Sequence, residues 1–244
     1  MVVTRLTTKG SAVRAVVLSG GPTHDFPATT SCLAELLAPL GAEVDVHDGV
    51  RGVESALLAL PGADLLVVNA LRWSMTGPGV PDRYRQQADA EGASPSEAAR
   101  AAFREHLAGG GGVLAMHTAA LCFDDWPGWA DALGARWVWG HSQHPPLGPV
   151  IEVSVTGDGE LVRGVGGFSL VDEVYGDMEL ADDLDPQLAA PQPGPEERVM
   201  PLLWAREHGG GRVVYDALGH HPPSYAVPEH AEIVTRAARW ALGA

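Results

Sequence analysis

Residues 13–21 read Val-Arg-Ala-Val-Val-Leu-Ser-Gly-Gly, and they indicate the fold class. Val13 to Leu18 form an apolar, β-branched run that ends at Gly20-Gly21. Such a run predicts a strand buried on both faces, which is typical of a parallel sheet covered by helices.

Helices and strands alternate outward from this first strand. Apolar residues at helical spacing predict helices over 28–40, 53–60 and 94–107, and apolar runs predict strands over 44–47, 65–69 and 113–116. Gly41 is expected to end the first helix, and Ser94-Pro95-Ser-Glu97 predicts a capping box for the third. The β-α-β-α-β-α-β order favours one doubly wound α/β domain over residues 1–244.

The pattern changes after residue 135. Strands are predicted over 149–155, 167–171, 199–204 and 212–218 with no helices between them, before a closing helix over 229–242. We expect two or three of these strands to pair antiparallel at one edge of the sheet. Residues 191–195 are predicted to form a surface loop, and residues 70–93 a long loop at the ligand-binding edge.

Composition and charge exclude several classes of function. The 244 residues are 45% hydrophobic and 19% charged, which is an ordinary globular composition. The net charge of −15 repels phosphate groups, so we expect neither nucleic acid nor an anionic membrane as a partner. Small neutral or cationic ligands remain, and a homodimer is the default assembly.

The cysteines and the N-terminus favour a cytoplasmic location. Cys32 and Cys122 are too few for a disulfide framework or a zinc ribbon, and they suit a reducing compartment. Residues 1–10 lack the apolar region of a secretory signal, and no apolar run approaches the roughly 20 residues that cross a bilayer. Cys122 is expected to be a buried, inert thiol.

Histidines follow the predicted strands at the points where these strands end. Because the carboxyl ends of parallel strands meet at one edge of a sheet, we expect these side chains to share a cleft. The residues are His24 (with Asp25), His117, His141, His144, and His220 (with His221).

His117 has the most specific context of these histidines. Residues 112–120, Gly-Val-Leu-Ala-Met-His-Thr-Ala-Ala, predict a strand, a sharp turn and a helix start, as in a nucleophile elbow. A histidine there can act as acid, base or metal ligand, or it can be bonded into the core. Gly219 is predicted to make the turn that orients His220.

Three further features are candidates for the site. His141 and His144 have a ligand-like spacing in a proline-flanked loop, so with His24, His220 and Glu173 they indicate either a zinc-type divalent metal site or a polar loop. Asp172 and Glu173 should lie on opposite faces of a strand, with one facing the cleft or forming a salt bridge. Trp73 is a candidate for stacking on a sugar, with core packing as the alternative.

Several stretches, in order along nearly the whole chain, resemble the ThuA-like family, which is named for a trehalose-utilisation protein and belongs to the class I glutamine-amidotransferase-like fold. The stretches are residues 17–26 with His24 and Asp25, residues 110–117, residues 139–141, residues 168–175 with the Asp-Glu-Val-Tyr sequence, residues 201–204 and residues 211–220.

The resemblance implies a flavodoxin-like three-layer sandwich, with a mostly parallel central sheet, an antiparallel edge extension and a cleft at the C-terminal edge. It also implies a link to sugar catabolism. His117 stands where amidotransferases carry their cysteine nucleophile, and His220 resembles the triad histidine, so no glutaminase activity is expected. Where many family members carry a His-Pro pair, this chain has Glu160-Leu161.

These observations support an enzyme that acts on a glycoside or keto glycoside, with a sugar as its small-molecule partner. His117 and His220 would be base and acid, with Glu173 orienting one of them. The candidate substrate-binding residues are His24, Asp25, Trp73, His141, Asp172 and Tyr175. The alternatives are a metal-dependent hydrolase with ligands among His141, His144 and His220, and a non-catalytic sugar-binding or regulatory protein.

Overall fold

A nine-stranded sheet runs through the protein, whose computed structural model describes residues 12–195 and 198–244. Its strands are β1 (Val13–Gly20), β2 (Ala42–Asp48), β3 (Leu65–Ala70), β4 (Gly112–Met116), β6 (Val150–Val155), β7 (Phe168–Val171), β9 (Leu188–Gln192), β10 (Arg198–His208) and β11 (Gly211–Asp216). The strands β5 (Ala135–Arg136) and β8 (Glu179–Leu180) form a separate two-stranded sheet.

The sheet has a parallel half and an antiparallel half. Its strand order is β2-β1-β3-β4-β11-β10-β9-β6-β7. The strands from β2 to β11 in that order pair in parallel, and every pair from β11 onward is antiparallel. The predicted α/β fold with an antiparallel edge extension is therefore confirmed.

Helices cover the sheet and complete a flavodoxin-like sandwich. They are α1 (Phe26–Leu37), α2 (Gly49–Leu58), α3 (Asp82–Arg85), α4 (Ala88–Glu91), α5 (Glu97–Ala108), α6 (Pro127–Leu133), α7 (Pro222–Tyr225) and α8 (Pro228–Ala241). Helix α1 packs against α7 and α8, and α2 packs against α5. Strands β3 and β4 are buried along their whole length, as expected for the centre of a parallel sheet.

Three local predictions about helices and loops were wrong. Residues 70–93, predicted as a loop, contain the short helices α3 and α4. Helix α5 begins at Glu97 and its cap is Ser96, whose Oγ accepts a hydrogen bond from Ala99 N at 3.2 Å. Ser94 instead donates to Asp125, and Glu97 pairs with Arg104. The predicted loop at 191–195 also begins inside β9, because the proline at 191 lies within an antiparallel strand.

The cap assignment is testable through stability. We expect Ser96→Ala to lower the free energy of unfolding by about 1 kcal/mol, because the first turn of α5 loses its side-chain acceptor. Ser94→Ala, at an exposed position, should change it by less than about 0.5 kcal/mol. Urea unfolding of both variants measures the difference, and a larger loss for Ser94→Ala would contradict the assignment.

Among the described residues, no helix is long and apolar enough to cross a membrane. The predicted lack of a secretory signal concerns residues 1–10, which lie outside the described residues, as do the first 11 residues of the predicted single domain.

Candidate functional site

Four side chains from distant parts of the chain meet beyond the carboxyl ends of the strands. His24 follows β1, His117 follows β4, His220 follows β11, and Glu173 follows β7. Each offers one nitrogen or carboxylate oxygen, and these four atoms all lie within 4.8 Å of one another. The predicted gathering of histidines at this edge of the sheet is therefore confirmed for three of them.

His117 is held by the elbow that its sequence predicts. Its φ of 45° is in the left-handed region, which costs energy in a residue other than glycine, and it opens a 3-10 helix over His117–Leu121. The side chain is 3% exposed. Nδ1 donates to Ala217 O at 2.7 Å, so Nε2 faces the other three residues.

Glu173 is the carboxylate to which the surrounding imidazoles bind. Its Oε2 lies 3.5 Å from His117 Nε2 and 3.2 Å from His220 Nδ1, and its Oε1 lies 3.2 Å from His144 Nδ1. Burial raises the pKa of this carboxyl, but its contacts with His117, His144 and His220 outweigh burial and hold the pKa well below its usual range. The carboxylate is thus charged at neutral pH although it is 6% exposed.

His24 carries no charge at neutral pH. Burial, followed by the neighbouring His117 and His220, lowers its pKa to about 3. Its Nδ1 lies 3.1 Å from Thr23 Oγ1, while its buried Nε2 has no hydrogen-bond partner. An unsatisfied nitrogen at this position costs free energy unless a ligand uses its lone pair.

Asp172 holds two of these residues in place and lies, like Glu173, just after β7. The predicted alternation of the two carboxylates along a strand was therefore wrong. Asp172 accepts hydrogen bonds from Glu173 N at 2.8 Å and His220 N at 3.3 Å, and also from Gly219 N at 2.8 Å and Ser224 Oγ at 2.6 Å. It acts on His220 through the backbone, which makes it a positioning residue.

Gly219 makes the turn before His220, as predicted. Its φ is 107°, and a Cβ there would lie 2.4 Å from the Tyr225 hydroxyl oxygen. A larger residue would therefore displace His220.

Two tyrosine hydroxyls contact His117, one at its ring and one at its backbone carbonyl. Tyr175 is buried, and its hydroxyl lies 2.9 Å from His117 Nε2. The Tyr215 hydroxyl donates to His117 O at 2.8 Å. Sequence reasoning named Tyr175 as substrate-binding and missed Tyr215, although a tyrosine next to Asp216 at the end of a buried strand was a signal for it.

Several predicted site residues have other contacts in the structure. Asp25 caps α1 by accepting from Ala28 N at 3.2 Å. Trp73 is 0% exposed and stacks on Trp139, so it packs in the interior and has no open face for a sugar. His141 is exposed and is not among the four converging residues.

The predicted metal ligands His141 and His144 are not the ones that converge. His144, whose side chain is 38% exposed, donates to Glu173 but lies outside the group of four, and the hydrogen bond to Glu173 raises its pKa. Within residues 12–195 and 198–244, the group that could hold a metal ion is His24, His117, Glu173 and His220. Spacing in one loop could not reveal this set, because its members come from four separate strand ends.

Cys122 is not a nucleophile in this arrangement. The thiol is buried and donates to Ala70 O, and burial raises its pKa to about 12. The predicted inert thiol is confirmed.

Comparison with known proteins agrees with the fold and with the motifs. The structure is similar to a ThuA-like protein from Parabacteroides merdae, with a TM-score of 0.74 and 17% identity, over 95% of this chain and 90% of that one. It is also similar to a ThuA-like protein from Bacteroides uniformis, with a TM-score of 0.66 and 17% identity, over 96% of this chain and 93% of that one. A third similar structure is the cytoplasmic protein STM3548 from Salmonella typhimurium, with a TM-score of 0.59 and 14% identity, over 94% of this chain and 98% of that one. At these identities the likeness concerns the fold alone.

Sequence comparison supplies the family. No functionally curated protein shows a significant sequence match to this chain. The model of the ThuA family, described as trehalose utilisation, matches residues 14–241. That match spans nearly the whole chain and contains every residue of the site. The chain therefore belongs to the ThuA family of trehalose-utilisation proteins.

Proposed function

We propose that this protein is an enzyme of carbohydrate catabolism that breaks the glycosidic bond of a glycoside, most readily of one oxidised to a ketone on its sugar ring. The observation that carries the proposal is the buried Glu173 carboxylate, bound by His117, His144 and His220 at the C-terminal edge of the sheet. Such a concentration of proton-exchanging groups is costly to bury and is typical of catalytic sites. Membership of a trehalose-utilisation family favours a sugar as substrate.

A ketone makes the reaction accessible to histidine chemistry. The proton on the carbon beside the carbonyl becomes acidic, so a base can remove it. The electron pair then forms a carbon–carbon double bond as the bond to the leaving oxygen breaks, and that oxygen takes a proton from an acid. Addition of water completes hydrolysis, and without it the reaction is an elimination.

We assign one group of the site to each of these steps. His117 Nε2 accepts the proton, because Nδ1 already donates to Ala217 O and the ring then gains its charge beside Glu173. His220, whose side chain is 18% exposed, gives a proton to the leaving oxygen. Glu173 orients both rings and stabilises whichever is charged.

A direct assay tests the proposal. We expect purified protein to release free sugar from a 3-keto disaccharide and, in D₂O, to incorporate deuterium at the carbon beside the ketone, while the parent disaccharide reacts far more slowly. His208→Ala is the control, because His208 pairs with Gly211 at the opposite end of β11. Saturable binding without product or exchange would instead establish the non-catalytic sugar-binding alternative.

The proposed function also implies a partner, a location and an assembly for the protein. The partner is a small carbohydrate in the cytoplasm, where the similar Salmonella protein is described, and a homodimer is the expected assembly. The net charge of −15 argues against nucleic acid and anionic membranes as partners.

A further inference from the structure

We infer that His24, His117, Glu173 and His220 together bind one divalent transition-metal ion. Three of their ligand atoms already have the mutual spacing that such an ion requires. Glu173 Oε2 lies 3.2 Å from His220 Nδ1 and 3.5 Å from His117 Nε2, and the two nitrogens lie 3.3 Å apart. Around a tetrahedral zinc ion with bonds of about 2.0–2.2 Å, ligand atoms lie about 3.3–3.6 Å apart.

His24 supplies the fourth ligand. Its ligand atom is within 4.8 Å of the other three, and its ring centroid is 4.5 Å from that of His220. Its Nε2 is buried without a hydrogen-bond partner, whereas Nδ1 lies near Thr23 Oγ1 and Pro22 O. With the proton on Nδ1, the free lone pair of Nε2 is available to an ion.

The residues around the four ligands match the outer shell of a metal site. Metal-bound histidines usually donate their second ring N–H to a carbonyl or carboxylate, and His117 Nδ1 donates to Ala217 O at 2.7 Å. Ligating carboxylates are themselves hydrogen-bonded, and His144 binds the second oxygen of Glu173 at 3.2 Å. An ion would displace the hydrogen bond that Tyr175 makes to His117 Nε2.

The ligand chemistry narrows the class of ion. Three imidazoles and one carboxylate suit zinc, manganese or iron(II), whereas magnesium and calcium prefer oxygen ligands. The partial exposure of His24 and His220 gives an ion a route from solvent.

The ion would have a catalytic role only if the proposed function is correct, and in that respect the inference rests on the proposed function. An ion here would polarise the ketone oxygen of an oxidised glycoside. The base and acid assigned above are those of the ion-free site. With the ion bound, His117 and His220 would be ligands, and His144, which binds Glu173, is a histidine outside the ligand set that can exchange a proton. Binding of the ion itself does not depend on the substrate.

The test is metal binding to the full chain, measured without reference to activity. We expect protein stripped with EDTA to bind about one Zn²⁺ or Mn²⁺ per chain by calorimetry and elemental analysis, and Mg²⁺ much more weakly. His24→Ala should weaken Zn²⁺ binding at least about 100-fold, since loss of an outer-shell partner already costs about 10–100-fold. His141→Ala, outside the group of four, is the matched control, and circular dichroism verifies the fold of each variant.

Should a variant fail to fold, His24→Gln keeps a polar side chain at this partly exposed position and serves in its place. Equal Zn²⁺ affinity in the wild type and the folded His24 variant would overturn the inference. So would stripped protein that binds no ion and converts the keto glycoside at the full rate, a result that leaves the proposed function standing. One tightly bound ion without any turnover would support the inference and contradict the proposed function.

Discussion

The Glu173→Gln variant is expected to convert the keto glycoside about 10²–10⁴-fold more slowly than the wild type, the range that positioned acid–base groups contribute. Glutamine has nearly the same shape, but it carries no charge. His117, His144 and His220 would therefore lose the carboxylate to which all three bind. An imidazolium formed during the reaction would have no counter-charge in a buried site.

The pKa of His144 is a second measurement, and it distinguishes an electrostatic role of Glu173 from a role in packing. The hydrogen bond to Glu173 is the main cause that raises the pKa of His144, so the pKa of His144 should fall in Glu173→Gln, as measured by NMR titration of the histidine ring protons. Glu179→Gln is the matched control, because Glu179 forms an exposed pair with Arg136. Unchanged turnover together with an unchanged pKa of His144 would contradict the assignment of Glu173.

The Asp216→Ala variant is expected to lose about 3–5 kcal/mol of unfolding free energy, the cost of leaving one member of a buried ion pair unpartnered. Asp216 Oδ2 lies 3.1 Å from His230 Nε2, and both side chains are 0% exposed. His230 Nδ1 also donates to Ser224 O at 2.8 Å. Both ring nitrogens thus face acceptors, so the pair consists of an imidazolium and a carboxylate.

The pH dependence of this pair has a defined sign. Burial lowers the pKa of His230, but Asp216 outweighs burial and raises it above the usual value near 6.5. A raised pKa in the folded state contributes stability that is fully present below the unfolded pKa and is lost as the pH rises through the folded pKa. The wild type should therefore lose this contribution on the alkaline side, and Asp216→Ala should not.

Guanidinium unfolding across a pH series measures both effects. Glu232→Ala on the same helix is the control, because it breaks an exposed pair with Arg236 and should cost less than about 0.5 kcal/mol. If Asp216→Ala were as stable as this control, the ion pair would be without consequence for folding.

Sequence reasoning missed the Asp216–His230 pair although a signal was present. His230 shares the buried face of α8 with Ile233, Val234 and Ala237, and Asp216 ends the buried strand β11. A titratable residue on an apolar helix face requires a partner, and a carboxylate at a buried strand end is the natural candidate.

The alternation of helices and strands, the parallel core around Val13–Gly20, the family and the elbow at His117 are all encoded locally in the sequence. These features depend on local periodicity, turn residues and short motifs, which neighbouring residues encode. The sequence also indicated that histidines gather at one edge, since the direction of parallel strands fixes where they end.

The polar residues that form the site became known from the folded arrangement of the chain. Glu173 follows the outermost antiparallel strand, β7, yet its carboxylate lies beside His117 at the centre of the sheet, and no local pattern encodes that return. His144 contacts Glu173 from outside the group of four converging residues. Trp73 lies in the core and not in a cleft. Such contacts depend on how the loops pack over the sheet. The interactions that stabilise them therefore join residues that are far apart in the chain.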